Sequence, residues 1–390
     1  MGNGTNGRTA SQHGQHRAVP PYLLASMAAC DGAWEAPEAI RDFIATAPEE
    51  QDAGSPEHAK RVRIATRARQ TLLLDQALLH ERRRGEHPPL GTFLEPSGRL
   101  HRTISDANGA ETTPGRLART EGHTPVQDVD VNRAYDGLGT VYEFLTDQFK
   151  RSSLDGAGVG LLGTVHYGQE YDNAFWDGTQ MIMGDGDGEV FNSFTSSLSV
   201  IAHELGHGLL QYTTDLQYQG QSGALNESIA DVFGALVEQF ATKQDAASAS
   251  WLIGAGLFTP EVKGKALRSM AAPGTAYDDP ILGRDPQPHH MDHYVKTRED
   301  SGGVHLNSGI PNHAFYLFAT ALGGNAWERA GSVWFNVIAT RSIPVDATFA
   351  LFAEQTLLQA RRDFGEGSAE DTALAAAWAA VGVTPQLIDD

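Results

Sequence analysis

The residues best suited to chemistry in this sequence are two histidines and a glutamate within five positions, His203, Glu204 and His207. On a helix, positions four apart share a face, so both imidazoles can bind one metal ion. Glu204 then points at a water molecule on that metal, which is how a helix can support zinc-dependent hydrolysis of a peptide bond. The alternative is that both histidines are surface residues of an ordinary helix.

A catalytic zinc normally has three protein ligands and one open position, so a third ligand is required. A ligand histidine six residues after His207 would occupy position 213, where the sequence has Thr213. Glu227 and Asp231 are four apart in a helical stretch at 225–240, so one can bind the metal while the other supports the site. From the residues alone, an acidic pair near a helix N-terminus explains these two side chains equally well.

These motifs, together with Pro-Pro-Tyr-Leu-Leu at residues 20–24, resemble the thermolysin family of zinc peptidases and, within it, the protealysin-like branch with a short N-terminal propeptide. The resemblance covers roughly residues 100–390 as the catalytic domain. It implies a neutral metalloendopeptidase made as a self-inhibited precursor, with one catalytic Zn²⁺. The zinc ligands that it implies are His203, His207 and Glu227.

The resemblance also implies roles for residues around the ligands. Six side chains are expected to act there: Glu204 as general base, Tyr218 and His305 at the oxyanion, Asp300 behind His305, Asp231 behind His203, and Asn226 behind His207. Taken alone, His305 is more simply a structural histidine. Its glycine-rich approach and the acid five residues earlier favour the catalytic role.

Substrate is expected, by the same resemblance, to bind as an added strand against Asn173 and Ala174, with Arg268 at the carbonyl after the scissile bond. The pocket for the residue after the cut is expected to have five apolar lining residues: Phe191, Phe194, Val200, Leu257 and Leu267. Such a pocket prefers Leu, Phe, Ile or Val and discriminates only modestly among them. We therefore expect cleavage on the N-terminal side of bulky hydrophobic residues.

Structural Ca²⁺ is typical of the family, but this sequence departs from the family where the calcium ligands are expected. Glu238 is retained. Other residues replace the expected acids: Ser199, Ser250, Leu252, Ala255 and Lys265. Calcium takes six to eight oxygen ligands, which one glutamate cannot supply. We therefore expect calcium binding to be weak or absent.

The elements that must position these residues divide into two regions. Strand patterns at 102–106 and 158–167, a helix at 131–151 and a hairpin at 173–183 precede the metal motif. Helical patterns dominate after it, at 198–212, 225–240, 310–322, 326–341, 346–364 and 368–381. The prediction is an α+β fold with a β-rich lobe at 96–197, a mainly α-helical lobe at 198–390, and the active-site cleft between them.

The first part of the chain is predicted to be a disordered tail at 1–19 and a small helical propeptide at 20–95, with a boundary near 85–99. A long amphipathic helix is predicted at 57–84, before an exposed linker. The resemblance implies that the propeptide covers the cleft through five residues: Pro20, Pro21, Tyr22, Leu23 and Leu24. A simple N-terminal helix packed on the body is the alternative. Cys30 raises a further hypothesis, that its thiolate completes the zinc shell in the latent form.

The composition is that of an acidic globular protein. The chain has 390 residues, 41% hydrophobic content and a formal net charge of −20, all of it after residue 100, because the first 100 residues are neutral overall. An acidic body argues against nucleic-acid binding, and a locally basic leader could dock on it electrostatically. The sequence has no run of about 18 uncharged apolar residues, so no membrane span is predicted. The single cysteine excludes an intramolecular disulfide.

The first thirty residues lack the basic start and apolar centre of an ordinary secretory signal. The resemblance implies secretion, so a cytoplasmic precursor and non-classical export both stay open. The expected partners are peptide or protein substrates and the chain's own propeptide, and we expect a monomer. Two other functions stay open: a catalytically idle metal- or partner-binding module on the same scaffold, and a narrow processing peptidase.

Overall fold

A computed structural model of the chain describes residues 16–34, 38–43, 55–83 and 99–385. The predicted tail at residues 1–15 and most of the predicted linker near 85–99 lie outside the described residues. Within the described part, no helix is both long enough and apolar enough to cross a membrane.

The described residues contain ten α-helices, and short strands lie mainly before the metal motif. The helices are α1 Pro21–Ala29, α2 Pro56–Arg83, α3 Val129–Phe149, α4 Leu198–Gln211, α5 Gly220–Thr242, α6 Asp300–Asn307, α7 Gly309–Leu322, α8 Ala330–Ala339, α9 Phe349–Phe364 and α10 Ala369–Ala380. The strands of the main sheet are β1 His16–Arg17, β2 Arg102–Asp106, β3 Arg116–Thr120, β4 Leu161–Val165, β5 Ala174–Trp176 and β6 Met181–Met183. Four two-residue strands form two small ribbons after α5: Leu252–Ile253 with Arg268–Ser269, and Asp278–Asp279 with Gly283–Arg284.

The main sheet is mixed, with the strand order β1-β5-β6-β4-β2-β3. β2, β4 and β6 are parallel to their neighbours in the centre, whereas β5 pairs with β6 as the predicted antiparallel hairpin. Strand β1 comes from the start of the chain and pairs antiparallel with β5. Without β1, strand β5 would be the edge of the sheet and would expose unpaired backbone groups.

Helices α4 and α5 form the centre of the second region and carry the metal motif. Gly234 on α5 allows the two helices to approach closely, because a Cβ atom there would lie 2.5 Å from the carbonyl oxygen of Ser199 on α4. Gly206 on α4 faces α5 in the same way, with its Cβ position 3.0 Å from the Cα of Ala230. This close packing brings side chains of both helices to one point. The α+β fold class is confirmed, with a β-sheet region followed by a helical region.

The prediction of a disordered tail is wrong for residues 16–19, which are buried and include β1. Their low apolar content predicted disorder. A two-residue strand, however, is held mainly by backbone hydrogen bonds, which do not depend on side-chain hydrophobicity. Residues Glu38–Phe43 form a 3₁₀ turn, and the long helix predicted at 57–84 is α2.

Helix α2 meets the body through its basic face. Three ion pairs join exposed or half-buried side chains of α2 to acids of the body: Lys60 with Glu261 at 3.2 Å, Arg63 with Glu189 at 2.7 Å, and Arg67 with Glu170 at 2.7 Å. Beneath them, Leu23, Leu24 and Ile64 belong to the same apolar core as the residues of α3, α4 and α5. Basic side chains of the leader therefore pair with acidic side chains of the body, in line with the charge distribution of the sequence.

Candidate active site

Three buried side chains converge where α4 and α5 pack. His203 and His207, one turn apart on α4, place their Nε2 atoms 3.0 Å from each other. The Glu227 carboxylate on α5 lies 3.4 Å from His203 Nε2 and 3.5 Å from His207 Nε2. All three residues are at most 1% exposed.

Each histidine is oriented by a second residue on α5. His203 Nδ1 lies 2.8 Å from Asp231 Oδ1, and His207 Nδ1 lies 2.8 Å from Asn226 Oδ1. These contacts use the outer ring nitrogens, so both Nε2 atoms face inward toward Glu227. The structure thus brings together the five residues that the sequence placed around the metal.

Asp231 is itself held by two further residues. Arg268 donates to both carboxylate oxygens at 2.8 Å, and Asn312 Nδ2 donates to Oδ2 at 2.8 Å. Burial alone would raise the pKa of Asp231, but Arg268 and His203 outweigh it and hold the pKa at about 2. Asp231 is therefore ionised and can orient His203 by charge as well as by hydrogen bonding. Asn312 was not predicted from the sequence, because an asparagine on a later helix has no local signal.

The arrangement fits a zinc ion. Two ligands bound to zinc at 2.0–2.1 Å in tetrahedral geometry are about 3.3–3.4 Å apart, close to the separations between His203, His207 and Glu227. Glu227 Oε2 is buried without a hydrogen-bond partner among the described residues. A bound cation would satisfy such a buried carboxylate oxygen beside two imidazoles. Two imidazoles and a carboxylate are also a common donor set for catalytic zinc.

Glu204 lies beside this group and is fully buried. Its Oε2 atom accepts a hydrogen bond from the backbone N–H of Trp176 at 2.9 Å, which ties α4 to strand β5. Its Oε1 atom has no hydrogen-bond partner among the described residues. Burial raises the pKa of Glu204 to about 8. A carboxyl group with a pKa near neutrality can both take up and release a proton.

Tyr218 and His305 also contact the Glu227 carboxylate. The Tyr218 hydroxyl donates to Glu227 Oε1 and lies 3.1 Å from His305 Nε2. His305 Nδ1 lies 2.6 Å from Asp300 Oδ1, and its backbone N–H donates to Asp300 Oδ2 at 2.8 Å. The carboxylates of Glu227 and Asp300 outweigh the effect of burial and raise the pKa of His305 above its usual value.

The glycines before His305 make this contact possible. Residues Asp300, Ser301, Gly302 and Gly303 all have positive φ, between 49° and 86°. This left-handed turn at the start of α6 bends the chain so that Asp300 reaches back to His305. Glycine adopts these φ values without strain, which explains the Gly-Gly pair in the motif.

Three predicted substrate-binding residues, Asn173 and Ala174 at the start of β5 and Arg268 on the first small ribbon, are contacted by residues 18 and 19. The Ala18 N–H donates to the Ala174 carbonyl at 3.0 Å. The Val19 N–H donates to Asn173 Oδ1 at 2.9 Å. The Arg268 Nη1 group donates to the Ala18 carbonyl at 2.9 Å.

The five predicted pocket residues are all fully buried in the main apolar core: Phe191, Phe194, Val200, Leu257 and Leu267. Phe191 packs against Phe194 with ring centroids 5.6 Å apart. Val200 is one turn before His203 on α4, and Leu267 adjoins Arg268. Their role as a substrate pocket stays a prediction.

The leader residues predicted to cover the cleft do lie against the body. Pro20 precedes helix α1. Tyr22, Leu23 and Leu24 belong to α1, and their side chains are buried. Cys30, however, is wrong as a zinc ligand. Its Sγ atom lies 3.5 Å from the carbonyl oxygen of Arg61 on α2, and burial raises its thiol pKa to about 12. A neutral, buried thiol packed between α1 and α2 cannot supply a thiolate to the metal site.

His16, not Cys30, reaches the metal site from the leader. Its ring stacks on His207 with centroids 3.9 Å apart and meets the edge of Tyr218 at 4.6 Å. One ring nitrogen of His16 lies within 4.8 Å of ligand atoms of His207 and Glu227. This contact was missed because the sequence around His16 has the composition of a disordered tail.

Arg17 was missed for the same reason. Its guanidinium forms a buried ion pair with Asp75 of α2 at 3.1 Å, and both side chains are at most 5% exposed. Asp75 also accepts from the hydroxyl of Tyr171 at 2.5 Å and from Asn173 Nδ2 at 3.3 Å. The amphipathic pattern of α2 contains Asp75 but does not indicate its partner.

Comparison with known proteins agrees with this geometry. Residues 96–211 match the model of the thermolysin metallopeptidase catalytic domain, and residues 214–383 match its alpha-helical domain. The chain is 49% identical over 318 residues to an extracellular metalloprotease of Pectobacterium carotovorum subsp. carotovorum, covering 81% of this chain and 90% of the relative. It is 50% identical over 289 residues to protease PrtS of a Photorhabdus species, covering 74% and 77%.

Among solved structures, the chain is similar to the precursor of protealysin, a metalloproteinase from Serratia proteamaculans. The TM-score is 0.78 at 44% sequence identity, and the match covers 95% of this chain and all of the solved one. The similarity therefore extends over the leader as well as the two lobes.

Proposed function

The chain belongs to the thermolysin family of metallopeptidases and is a zinc metalloendopeptidase, and from this premise we propose how it cleaves and what it cleaves. We propose that Glu204 is the general base for attack of water on the scissile carbonyl. We propose further that cleavage occurs on the N-terminal side of bulky hydrophobic residues. The observation that carries the proposal is the unpartnered Oε1 atom of Glu204 beside the convergent ligands His203, His207 and Glu227.

His203, His207 and Glu227 would hold the zinc. When bound, zinc polarises the scissile carbonyl and lowers the pKa of water at its open coordination position. Glu204 would accept the proton of that water through Oε1, while the Trp176 N–H fixes its Oε2. The same carboxyl group, with its pKa raised by burial, would return the proton to the leaving amine.

Charge that develops on the carbonyl oxygen would be stabilised by Tyr218 and His305. Their donor atoms are 3.1 Å apart, so both can reach one oxygen. Asp300 favours the protonated imidazole of His305, which makes it the stronger donor. Donors fixed before the reaction begins contribute most of the stabilisation in many hydrolases.

The substrate backbone would extend the sheet along β5, where Ala174 and Asn173 offer an acceptor and an amide group. Arg268 is held by Asp231 through two hydrogen bonds and keeps Nη1 for a substrate carbonyl. The apolar side chains behind Arg268 support a preference for Leu, Phe, Ile or Val after the cut. Cleavage-site profiling tests this preference, and charged residues at that position would contradict it.

We also propose that the described chain is a latent precursor. Residues 16–19 occupy the backbone groups that substrate would use, and Tyr22, Leu23 and Leu24 are buried behind them. A substrate strand therefore has to displace residues that are already bound. The match to a protealysin precursor over 95% of the chain supports this interpretation.

The test compares Glu204→Gln with Glu366→Gln, which removes one exposed acid far from the ligands in sequence. Both proteins are loaded with zinc, freed of the leader by limited proteolysis, and assayed for bound metal and for hydrolysis of a Leu-containing reporter peptide. We expect each to bind about one zinc and only Glu204→Gln to lose activity, by about 100-fold or more. An active Glu204→Gln enzyme would refute the assigned role, and inactivity of both proteins would favour an idle scaffold. Profiling on mixed peptides separates a broad endopeptidase from a narrow processing enzyme.

A further inference from the structure

Three glutamates of the body form a row along helix α2. They come from three separate loops, and each pairs with a basic residue of the helix: Glu261 with Lys60 at 3.2 Å, Glu189 with Arg63 at 2.7 Å, and Glu170 with Arg67 at 2.7 Å. The three basic residues follow the spacing i, i+3, i+7, so they lie on one face of α2. We call Glu170, Glu189 and Glu261 the acidic row.

The two arginines bind the acidic row with defined geometry. Arg67 contacts both carboxylate oxygens of Glu170, through Nε and Nη2, each at 2.7 Å. Arg63 donates from Nε and Nη2 to one oxygen of Glu189, at 3.1 and 2.7 Å. A planar guanidinium that donates twice to one carboxylate fixes the direction of the side chain as well as pairing its charge. The acidic row therefore fits the basic face of a helix.

The acidic row adjoins the predicted pocket for the residue after the cut. Glu189 is two residues before Phe191, and the Thr259 hydroxyl donates to the Glu189 carbonyl at 2.8 Å. Thr259 lies midway in sequence between Leu257 and Glu261. Since Phe191 and Leu257 are predicted pocket residues, two of the three acids sit on the segments that form that pocket. A segment bound to the row would thus follow the bond to be cut.

Glu189 is held in place by the body and not by α2. Asp187 Oδ1 accepts hydrogen bonds from three successive backbone N–H groups, those of Glu189, Val190 and Phe191, at 2.7–3.0 Å. None of these groups belongs to the leader. The turn that presents Glu189 is therefore expected to persist when the leader leaves.

A buried acid lies next to the row. Asp172 is 0% exposed, and neither of its carboxylate oxygens has a hydrogen-bond partner among the described residues. Burial and the neighbouring Asp187 raise the pKa of Asp172, and the charges of Arg67 and Glu170 also act on it. Its backbone N–H donates to Thr71 Oγ1 of α2 at 3.4 Å. Departure of α2 would uncover Asp172, whose oxygens could then accept from a basic group.

We propose that, once the leader has left, the acidic row is a binding surface outside the cleft for a basic helix of a protein substrate. The inference rests on the proposed function, since it concerns which substrates reach the same cleft. The helix would carry Lys or Arg at i, i+3 and i+7, as α2 does, and would follow the bond to be cut. In the latent chain, α2 occupies this surface.

The acidic row contributes little to holding the leader itself. Glu170 and Glu261 are 50% and 66% exposed even in contact with α2, and exposed ion pairs each contribute little. The leader is held mainly by buried groups, such as Leu23 and the pair of Arg17 with Asp75. A peptide substrate has few contacts outside the cleft, so three such pairs are a larger share of its binding. The negative charge of the body also steers a basic segment toward them.

The experiment compares two peptides as substrates of the zinc-loaded enzyme freed of its leader by limited proteolysis. Both contain the same Leu-containing cleavage sequence, a Gly/Ser linker and then an alanine-rich helix. One helix carries Arg at i, i+3 and i+7, and the other carries Gln there. We expect kcat/KM to be about 10-fold higher for the basic peptide at low salt. The ratio should fall to near 1 in about 1 M NaCl, because salt screens exposed charges.

Variants locate the surface. The triple variant Glu170→Gln, Glu189→Gln, Glu261→Gln should bring the ratio of basic to neutral peptide to near 1. The matched control removes three exposed acids outside the row, Glu143→Gln, Glu328→Gln, Glu366→Gln, and should keep the ratio near its original value. The single variant Glu261→Gln, at a 66% exposed side chain, serves if the triple variant does not fold, and should lower the ratio about 2-fold.

Other outcomes overturn the inference. Equal kcat/KM for the two peptides on the unaltered enzyme would contradict it and leave the proposed function intact. A preference for the basic peptide that survives in the row variants, or that the control also loses, would mean that overall charge or another surface is responsible. If neither peptide is hydrolysed, the result counts against the proposed function instead.

Discussion

The buried ion pair between Arg17 and Asp75 gives a sharp prediction about latency. Asp75 is on α2, and Arg17 is on the strand that fills the cleft, so the pair joins the two parts of the leader over the active site. Burial raises the pKa of Asp75 even though Arg17 lies beside it, so this environment does not stabilise the ionised form of Asp75. Its contribution is to neutralise the arginine. We expect Asp75→Asn to leave a buried guanidinium without its counter-charge and to loosen the leader.

The size of the effect follows from the burial of both groups. Removing one partner of a buried ion pair costs about 3–5 kcal/mol. The lower value applies here, because the amide introduced by Asp75→Asn would keep an oxygen for Tyr171, and Arg17 would keep its hydrogen bond to the backbone carbonyl at the same position. A loss of about 3 kcal/mol raises the open population of the leader about 100-fold, since 1.36 kcal/mol is a factor of ten.

Hydrogen exchange of the α2 amides measures this opening in the full chain. All variants carry Glu204→Gln, so that peptidase activity does not interfere with the measurement. The matched control is Glu57→Gln, which removes a 63% exposed acid from the same helix. We expect Asp75→Asn to reduce protection of α2 about 100-fold and Glu57→Gln to leave it nearly unchanged.

A double variant tests the stated reason. If the cost comes from the unpaired arginine, adding Arg17→Met to Asp75→Asn should recover part of the protection, because both buried charges are then gone. Equal protection in Asp75→Asn and Glu57→Gln would refute the role of the pair. If the α2 amides were less protected in the double variant than in Asp75→Asn alone, the explanation by an unpaired buried arginine would be refuted.

Three further predictions concern stability. His166 lies 2.7 Å from Asp185 and 2.9 Å from Asp128, and hydrogen bonding to Asp185, which outweighs burial, raises its pKa to about 9. The stability that protonated His166 contributes to the fold is fully present below pH 6.5 and is lost as pH rises through 9. His166→Gln should therefore lower Tm at pH 6 by an amount equivalent to about 1 kcal/mol, reduced for solvent exposure, and have little effect at pH 10; an equal loss at both pH values would contradict this. Gly234→Ala should cost about 1–3 kcal/mol and weaken zinc binding, because its Cβ would lie 2.5 Å from the Ser199 carbonyl; unchanged Tm and metal affinity would show that the helices can separate freely. Millimolar calcium should not shift the Tm of chelator-treated, zinc-reconstituted protein substantially, since Ser199 replaces an expected acidic ligand, and a large rise would disprove the expectation.

The calcium prediction has a structural reason that the sequence could not supply. The Ser199 hydroxyl accepts a hydrogen bond from the backbone N–H of Gly254 at 3.1 Å, and Ser199 also hydrogen-bonds to the retained Glu238. These contacts tie the start of α4 to α5 and to the first small ribbon.

The centre of the site follows from local sequence patterns. His203, Glu204 and His207 lie within one turn of a helix, so their relative positions follow from the helical repeat alone. Glu227 and Asp231 are related by the same repeat on a second helix. The order of strands and helices likewise follows from local patterns, which is why the α+β class was predicted correctly.

The residues that fill the cleft, in contrast, are set by long-range packing. Residues 16–19 bind through backbone groups, and a backbone contact leaves no pattern in the side chains. The pairing of Arg17 with Asp75 and the approach of His16 to His207 join positions far apart in the chain, and neither partner carries a local signal for the other. The spacing of the ligands is a short-range property of helices, whereas the register of the leader over the scissile position depends on how α1, α2 and β5 pack together.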